Sequence, residues 1–239
     1  MLPVVVLAGG LGTRLGEIGT RVPKIMMPIG KQIFLDLQLK LFVDNGVRDL
    51  TYCLGHLGQQ VEEHVQHISI PNEMIIKFSY DGDKQLGTGG AILKAVKNYE
   101  GKFLVVYGDS YLQVKYEEIS GRFQNSKQSC IMTVLHNKDL YDKSNVSISN
   151  GMVSRYHKNK SDSDLDFIDF GILGFSTSIF RHFEAYESFD LSLVIQHAIQ
   201  SNNVLAFEVQ KRFFEIGSQE GILDLEKYLY RESANELRN

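Results

Sequence analysis

The first residues in the sequence that could do chemistry form a glycine-rich loop near the N-terminus. The loop runs Gly9-Gly10-Leu11-Gly12-Thr13-Arg14-Leu15-Gly16 and follows the apolar segment Val4–Ala8. Glycines let backbone N–H groups approach a phosphate chain closely, and an arginine binds two phosphate oxygens at once. The spacing from Gly10 through Gly12 to Gly16 is one residue too long for the Gly-x-Gly-x-x-Gly fingerprint of dinucleotide-binding proteins. The Gly-Lys-Ser/Thr of a P-loop is absent. The loop predicts an anion site of another kind, although a solvated turn would have the same glycines.

Basic residues gather around this loop in a protein that is acidic as a whole. Between residues 9 and 31 the bases are Arg14, Arg21, Lys24 and Lys31, and the one acid is Glu17. The whole chain of 239 residues carries a net charge of −4, from 25 basic and 29 acidic residues. This local excess predicts a polyphosphate site. The overall charge argues against a nucleic-acid binder or a polybasic membrane surface.

Two carboxylates, Asp109 and Asp169, are candidates for ligand contacts because of their positions in the sequence. Asp109 follows the apolar segment Phe103–Tyr107, where a hard cation such as Mg²⁺ would find an oxygen ligand beside substrate phosphates; a helix N-cap or turn is the alternative. Asp169 interrupts the apolar segment Phe167–Phe175, and burying it without partners is costly. Sugar hydroxyls or a structural hydrogen-bond network would supply partners for its carboxylate.

His64 and His67 share a helical face, but their neighbours indicate a solvated surface rather than a zinc site.

The elements that position these residues alternate between strands and helices. The predicted strands are Val4–Ala8, Leu50–Leu54, Met74–Tyr80, Phe103–Tyr107, Ser129–Leu135, Phe167–Phe175 and Val204–Val209. The predicted helices are Gln32–Val43, Gly58–His67, Thr88–Asn98 (with Thr88 as N-cap), Tyr116–Asn125, Leu191–Ile199 and Gly221–Tyr230. Uniformly apolar strands separated by helices predict a mainly parallel sheet, covered on both faces, with ligands at the carboxyl ends of its strands.

The chain is expected to form a single domain, residues 1–239, with a substrate-side elaboration at about 137–175. Asn150-Gly151 predicts a hairpin turn in that elaboration, which we interpret as an inserted hairpin or lid. Cys53 and Cys130 lie in apolar segments without metal or redox spacing and are expected to be buried thiols. The N-terminus has neither the basic region of a signal peptide nor the length of a membrane span. We therefore expect a cytoplasmic protein.

The motifs taken together resemble the signature of the sugar-1-phosphate nucleotidyltransferases. The matching segments are Leu7–Leu15, Pro23-Lys24, Met27–Gly30, Leu86–Ala91, Val106–Ser110 and Phe213–Ser218, so the resemblance spans nearly the whole chain. It implies a three-layer, Rossmann-like nucleotidyltransferase fold. It also implies Mg²⁺-dependent transfer from a nucleoside triphosphate to a sugar 1-phosphate, with release of pyrophosphate.

The resemblance assigns roles to individual residues. The catalytic residues it implies are Arg14 at the β- and γ-phosphates, Lys24 near the reacting phosphate and Asp109 at the metal. The nucleotide contacts it implies are Leu7, Gly9, Gly10, Gly12, Thr13, Arg14, Lys24, Gly87 and Thr88. The sugar-phosphate contacts are Gly108, Lys158, Asp169 and Gly171, and the metal ligands are Asp109 and Glu215. Small-molecule substrates are the expected partners, with an oligomer left open.

Several departures from the family pattern leave alternatives open. Glu215 stands where the family has aspartate, and Lys158 or Lys160 would replace the lysine of the usual Glu-Lys-Pro. Asp81 and Asp83 would accept hydrogen bonds from guanine, or serve only as turn residues.

The compact form, in which the last motif lies near the end of the sequence, is similar to D-glycero-α-D-manno-heptose 1-phosphate guanylyltransferases of surface-glycan pathways. GTP with a heptose or hexose 1-phosphate is the preferred pair. A dTDP-, UDP- or CDP-sugar enzyme is an alternative within the same chemistry. A non-catalytic sugar-nucleotide sensor and a nicotinamide-dependent oxidoreductase are alternatives from other classes.

Overall fold

The computed structural model describes residues 1–10, 12, 15–137, 140–158 and 165–236. Its strands are β1 (Val4–Leu7), β2 (Pro28–Ile29), β3 (Gln32–Ile33), β4 (Asp49–Leu54), β5 (Ile75–Tyr80), β6 (Lys102–Tyr107), β7 (Ser110–Tyr111), β8 (Cys130–His136), β9 (Val146–Ser149), β10 (Met152–Tyr156), β11 (Phe167–Ser176), β12 (Val204–Val209) and β13 (Phe214–Glu215). Its α-helices are α1 (Phe34–Asp44), α2 (Gly58–His67), α3 (Gly87–Ala95), α4 (Tyr116–Gln124), α5 (Thr177–Phe180), α6 (Leu191–Gln200) and α7 (Gln219–Glu236).

Nine of these strands form one sheet in the order β5-β4-β1-β6-β11-β8-β12-β10-β9. Strands β5, β4, β1 and β6 are parallel neighbours, as are β8 and β12. Strand β11 runs antiparallel between β6 and β8. The carboxyl ends of β1, β4 and β6 therefore meet at one edge of the sheet.

Helices cover both faces of the sheet because consecutive apolar strand residues point to opposite sides. Val4 and Val6 enter a core that includes side chains of α1, α2, α4 and α7. Val5 enters a second core, which includes side chains of α3, α5 and α6. This arrangement confirms the expected three-layer α/β fold.

Most predicted elements lie within a few residues of their observed bounds, and the exceptions have local causes. The first helix begins at Phe34 rather than Gln32, because β3 pairs with β2 in a small antiparallel hairpin. Thr88 is not the N-cap of α3, which begins at Gly87; its hydroxyl instead accepts the Leu191 N–H at 2.8 Å.

The predicted hairpin is present, and it belongs to the main sheet. Asn150 and Gly151 have φ values of 51° and 74°, the left-handed conformations that a two-residue hairpin turn requires. Strand β10 pairs with β12, and β9 also contacts β11, so the hairpin continues the sheet at its edge. Within the part of the chain that the structure describes, no helix combines the length and apolar composition needed to cross a membrane.

Candidate active site

A cavity of about 420 Å³ opens at the carboxyl ends of β1, β4 and β6. Its lining includes residues from the ends of β1 and β6 and from the start of α3. These are Leu7, Ala8, Gly9 and Gly10 at the end of β1, Tyr107, Gly108 and Asp109 at the end of β6, and Gly87 and Thr88 in α3. The loops after β1 and β6 pack so closely that a Cβ on Gly108 would lie 2.8 Å from the Leu7 carbonyl oxygen. This is the edge of an open α/β sheet where ligands bind, so we name this space the first cavity.

One wall of the first cavity also requires glycine. Gly87 has a φ of 70°, and a Cβ there would lie 2.5 Å from the carbonyl oxygen of Phe189. A side chain would therefore strain the backbone and collide with a neighbouring main chain. The lining of this cavity also includes Asp81 and Gln85, whereas Asp83 is exposed and outside it.

Lys24 and Asp109 form an ion pair in the lining of the first cavity. Lys24 begins a short 3₁₀ turn after Pro23, and Asp109 lies between β6 and β7. Their side chains are only 16% and 25% exposed, so solvent screens this pair less than a surface pair. The ammonium and the carboxylate therefore stand next to the space that a ligand would fill.

Glu215 lies beside Asp109 because two very short strands bring it there. Strand β13 pairs antiparallel with β7, with Glu215 opposite Ser110, and the Ile216 N–H donates to the Asp109 carbonyl at 2.9 Å. Glu215 keeps part of its surface open to solvent, and desolvation of its carboxyl raises its pKa to about 7. The charge of Asp109 adds to this rise, and that of Lys24 reduces it. Two carboxylates that disfavour each other's charge are suited to share a cation.

This pair of carboxylates fits a hard divalent cation that keeps other ligands. Among the described residues, no group of three or more histidine, cysteine, aspartate or glutamate side chains is placed to hold a metal. A protein site with one or two carboxylates, completed by water and substrate phosphates, is the usual arrangement for Mg²⁺.

A second cavity, of about 410 Å³, adjoins the first and shares Tyr107 with it. Its lining is mostly polar and consists of Tyr107, Asp142, Lys143, Asn145, Tyr156, His157, Lys158, Ile168, Asp169, Gly171, Phe213 and Glu215. Four residues singled out from the sequence, Lys158, Asp169, Gly171 and Glu215, are thus brought together here. Asn145 and Tyr107 belong to this cavity too, and sequence analysis assigned neither of them a role. Asn145 lies outside the motifs, and within the Val106–Ser110 motif only Gly108 and Asp109 were singled out.

The Asp169 carboxylate accepts a hydrogen bond from the backbone where the pairing of β11 is irregular. The Gly171 N–H donates to the Asp169 carboxylate at 3.0 Å, and the Asp169 N–H donates to the Asn145 side chain at 2.9 Å. The register with β8 shifts between Asp169 and Leu173, so the strand bends at this point. Burial raises the pKa of Asp169 to about 7, and the hydrogen bond from Gly171 opposes that rise.

Lys158 forms an ion pair with Asp190, a residue that sequence analysis did not identify as functional. Asp190 is the N-cap of α6, and its carboxylate accepts the Ser192 N–H at 2.9 Å. Burial alone would raise the pKa of Asp190, but hydrogen bonds from Lys158 and Ser192 lower it below its usual range. An aspartate directly before an apolar helix is a recognisable N-cap signal. That signal does not predict an ion pair with Lys158.

Three residues assigned from the sequence, Thr13, Arg14 and the alternative Lys160, lie outside the described residues. Gly12 is described, with a φ of 62°, and does not line either cavity. Cys53 lines the first cavity, but burial raises the pKa of its thiol to about 12, so it forms an uncharged wall rather than a nucleophile. Cys130 is also a free, buried thiol.

Comparison with known proteins defines the class to which this fold and site belong. The nucleotidyl transferase family matches residues 3–154, and the chain belongs to that family, whose members generally use divalent metal ions. This confirms the family expected from the motifs. The chain is thus a transferase of nucleotidyl groups.

Individual relatives cover almost the whole chain. A D-glycero-alpha-D-manno-heptose 1-phosphate guanylyltransferase from Campylobacter jejuni is 26% identical over 221 residues, which are 92% of this chain and 96% of that protein. A probable glucose-1-phosphate cytidylyltransferase from Bacillus subtilis is 25% identical over 202 residues, 76% of this chain and 77% of that protein. The crystal structure of HddC from Yersinia pseudotuberculosis complexed with GMP-PN is similar with a TM-score of 0.79 and 25% identity, over 96% of this chain and 100% of that one.

Proposed function

We propose that this protein joins a nucleoside triphosphate and a sugar 1-phosphate into a nucleotide sugar and pyrophosphate. The observation that carries the proposal is the pair of adjoining cavities with the Lys24, Asp109 and Glu215 cluster between them. One cavity has a glycine-rich, partly apolar wall suited to a nucleotide, and the other is polar with a lysine suited to a sugar phosphate. A single domain, residues 1–239, would then hold both substrates.

The nucleotide belongs in the first cavity in this proposal. The base packs against the wall that contains Gly87 and Thr88, and the phosphates extend toward Gly9 and Gly10. Leu7, Gly12, Thr13 and Arg14 keep their sequence-based assignment to the nucleotide, with Arg14 at the β- and γ-phosphates. Backbone N–H groups and cations near a triphosphate supply the charge compensation that phosphoryl chemistry requires.

The acceptor belongs in the second cavity. Lys158 donates to the phosphate of the sugar, while Asp169 and the backbone around Gly171 contact hydroxyl groups. Gly108, which lines the first cavity, lies where the two substrates meet. A polar cavity of this kind suits a polyhydroxylated ring, since each buried polar group needs a partner.

In the reaction, a phosphate oxygen of the sugar 1-phosphate forms a bond to the α-phosphorus of the triphosphate. The bond from that phosphorus to the bridging oxygen of the β-phosphate breaks, and pyrophosphate leaves with the electron pair. Lys24 stabilises negative charge on the α-phosphate, and no residue of the chain becomes covalently attached. Asp109 and Glu215 would hold Mg²⁺, which supplies further neutralisation of phosphate charge when bound.

GTP with a heptose or hexose 1-phosphate is the preferred substrate pair, for surface-glycan synthesis. Its support is the similarity to a heptose 1-phosphate guanylyltransferase and to a structure complexed with GMP-PN. Asp81 in the first cavity adds a carboxylate that would accept the N1–H and N2–H groups of guanine. We place the enzyme in the cytoplasm, in keeping with its two free thiols.

The proposal is tested by measuring pyrophosphate release with Mg²⁺ across ATP, GTP, CTP, UTP and dTTP, each with a panel of hexose and heptose 1-phosphates. Release confined to GTP with one acceptor supports the full proposal. Release with another base keeps the reaction and corrects the base. Nucleotide binding by calorimetry without release under any pair would contradict catalysis and support a sugar-nucleotide sensor.

A further inference from the structure

Asp190 connects the two cavities, although it lines neither of them. Its carboxylate pairs with Lys158 of the second cavity and also accepts the hydroxyl of Thr88, of the first cavity, at 3.3 Å. Both contacts are made to the same oxygen, Oδ2, while Oδ1 is held by the Ser192 N–H. One side chain therefore joins a residue on the proposed nucleotide side to a residue on the proposed sugar-phosphate side.

The backbone around Asp190 is bound firmly to the wall of the first cavity. Phe189 donates its N–H to the Leu86 carbonyl at 3.0 Å, and its own carbonyl accepts the N–H groups of Gly89 at 3.0 Å and Gly90 at 3.3 Å. Leu191 donates its N–H to the Thr88 hydroxyl at 2.8 Å. A displacement of the α3 N-terminus therefore moves Asp190 with it.

A second contact ties α6 to the segment that carries Lys158. The Gln196 side-chain amide donates to the Tyr156 carbonyl at 2.5 Å, two residues before Lys158. Lysine has a flexible stem and three N–H donors. Since Asp190 engages one donor, the ammonium is held in place with two donors left for phosphate oxygens, and a side chain ordered before binding loses less freedom when it binds.

We propose that Asp190 is a positioning residue, which orients Lys158 for the sugar phosphate and links that orientation to the nucleotide-binding wall through Thr88. This inference rests on the proposed function. Asp190 itself touches no substrate in this proposal. It acts through the Lys158 ammonium on one side and the Thr88 hydroxyl on the other.

The kinetic test uses Asp190→Asn, which keeps the N-cap acceptor for Ser192 and removes the charge that holds Lys158. We expect the KM for the sugar 1-phosphate, measured at saturating triphosphate, to rise about fivefold or more. The kcat, and the dissociation constant of the triphosphate measured by calorimetry without acceptor, should change by less than about twofold. Asp49→Asn, which breaks the 2.9 Å pair with Lys77 far from both cavities, is the matched control and should change none of these constants. An unchanged or lowered acceptor KM in Asp190→Asn, or an equal loss of triphosphate affinity in the absence of acceptor, would overturn the proposal.

A second measurement reports on Asp190 without turnover. Reductive ¹³C-methylation labels the Lys158 amine, and the signal is assigned by its loss in Lys158→Arg. Addition of the triphosphate that binds best by calorimetry should shift this signal in the native protein and leave it unshifted in Asp190→Asn. The same shift in both proteins, or none in either, would overturn the link to Thr88. If the native protein releases no pyrophosphate with any acceptor, the proposed function fails while this comparison still decides the role of Asp190.

Discussion

Lys24 and Asp109 form an ion pair across 85 positions of sequence, and this pair marks the centre of the candidate active site. The two residues belong to different connecting segments, which meet at the same edge of the sheet. Glu215 reaches the same place through the pairing of β13 with β7. One ammonium beside two carboxylates sets up the electrostatics from which the first two predictions follow.

Asp109→Ala should lower Mg²⁺-dependent turnover by roughly 10³-fold, the order expected when several kcal/mol of charge stabilisation are lost. The fold should persist, because the Asp109 carbonyl still accepts the Ile216 N–H. Pyrophosphate release over a Mg²⁺ titration measures the loss, and thermal unfolding checks the fold. Asp83→Ala removes an exposed carboxylate outside the first cavity and should leave turnover unchanged. Near-native turnover in Asp109→Ala would contradict the metal assignment.

Lys24→Met should lower kcat by roughly 10²-fold, because the ammonium stabilises charge that develops on the reacting phosphate. Steady-state kinetics with both substrates varied separates this effect from simple loss of affinity. Lys31→Met is the control, since Lys31 is an exposed base of the same segment. A raised KM with an unchanged kcat would instead mean that Lys24 stabilises the bound substrate and the transition state equally.

Gly87→Ala should both destabilise the protein and weaken nucleotide binding. The new Cβ would meet the Phe189 carbonyl at 2.5 Å in a left-handed backbone conformation, at a cost of roughly 1–3 kcal/mol. Urea unfolding gives the stability change, and calorimetry gives the dissociation constant for the triphosphate. Gly10→Ala is the stability control, because a Cβ at Gly10 would meet no heavy atom within 4 Å among the described residues beyond its own chain neighbours. Equal stability of the two variants would refute the steric account.

Asp169→Asn should become more stable relative to the native protein as pH rises. Burial raises the pKa of Asp169 from 3.8 to about 7, so the folded protein binds this proton more tightly than the unfolded chain. The stability that this proton supports is fully present below about pH 4 and is lost as pH rises through 7. Asparagine keeps an oxygen for the Gly171 N–H and carries no charge at any pH.

The difference in the free energy of unfolding between Asp169→Asn and the native protein should therefore grow by roughly 2–4 kcal/mol from about pH 4 to pH 8. Urea unfolding at intervals over that range measures it. Asp166→Asn, which changes an exposed aspartate nearby, should show no such trend. A constant difference for Asp169→Asn would mean that this carboxyl is ionised at little cost in the folded protein.

The sequence by itself determined the layered fold and the first half of the site. Apolar segments such as Val4–Ala8 and Phe103–Tyr107 alternate with amphipathic helices, and this local pattern is enough to predict a covered, largely parallel sheet. Residues that directly follow such strands, among them Gly9 and Asp109, must then lie at one edge. Motif order supplied the family, which the comparisons confirm.

Only the tertiary structure decided how the remaining groups meet. The neighbourhood of Glu215 and Asp109 depends on β7 and β13, two strands of two residues each, which are too short to show any periodicity in sequence. The contacts of Asp190 with Thr88 and Lys158 span 102 and 32 positions, and an N-cap signal says nothing about them. Such contacts depend on how the whole sheet and its helices pack. Strand and helix patterns depend on neighbours in sequence, and for that reason the elements could be predicted whereas these contacts could not.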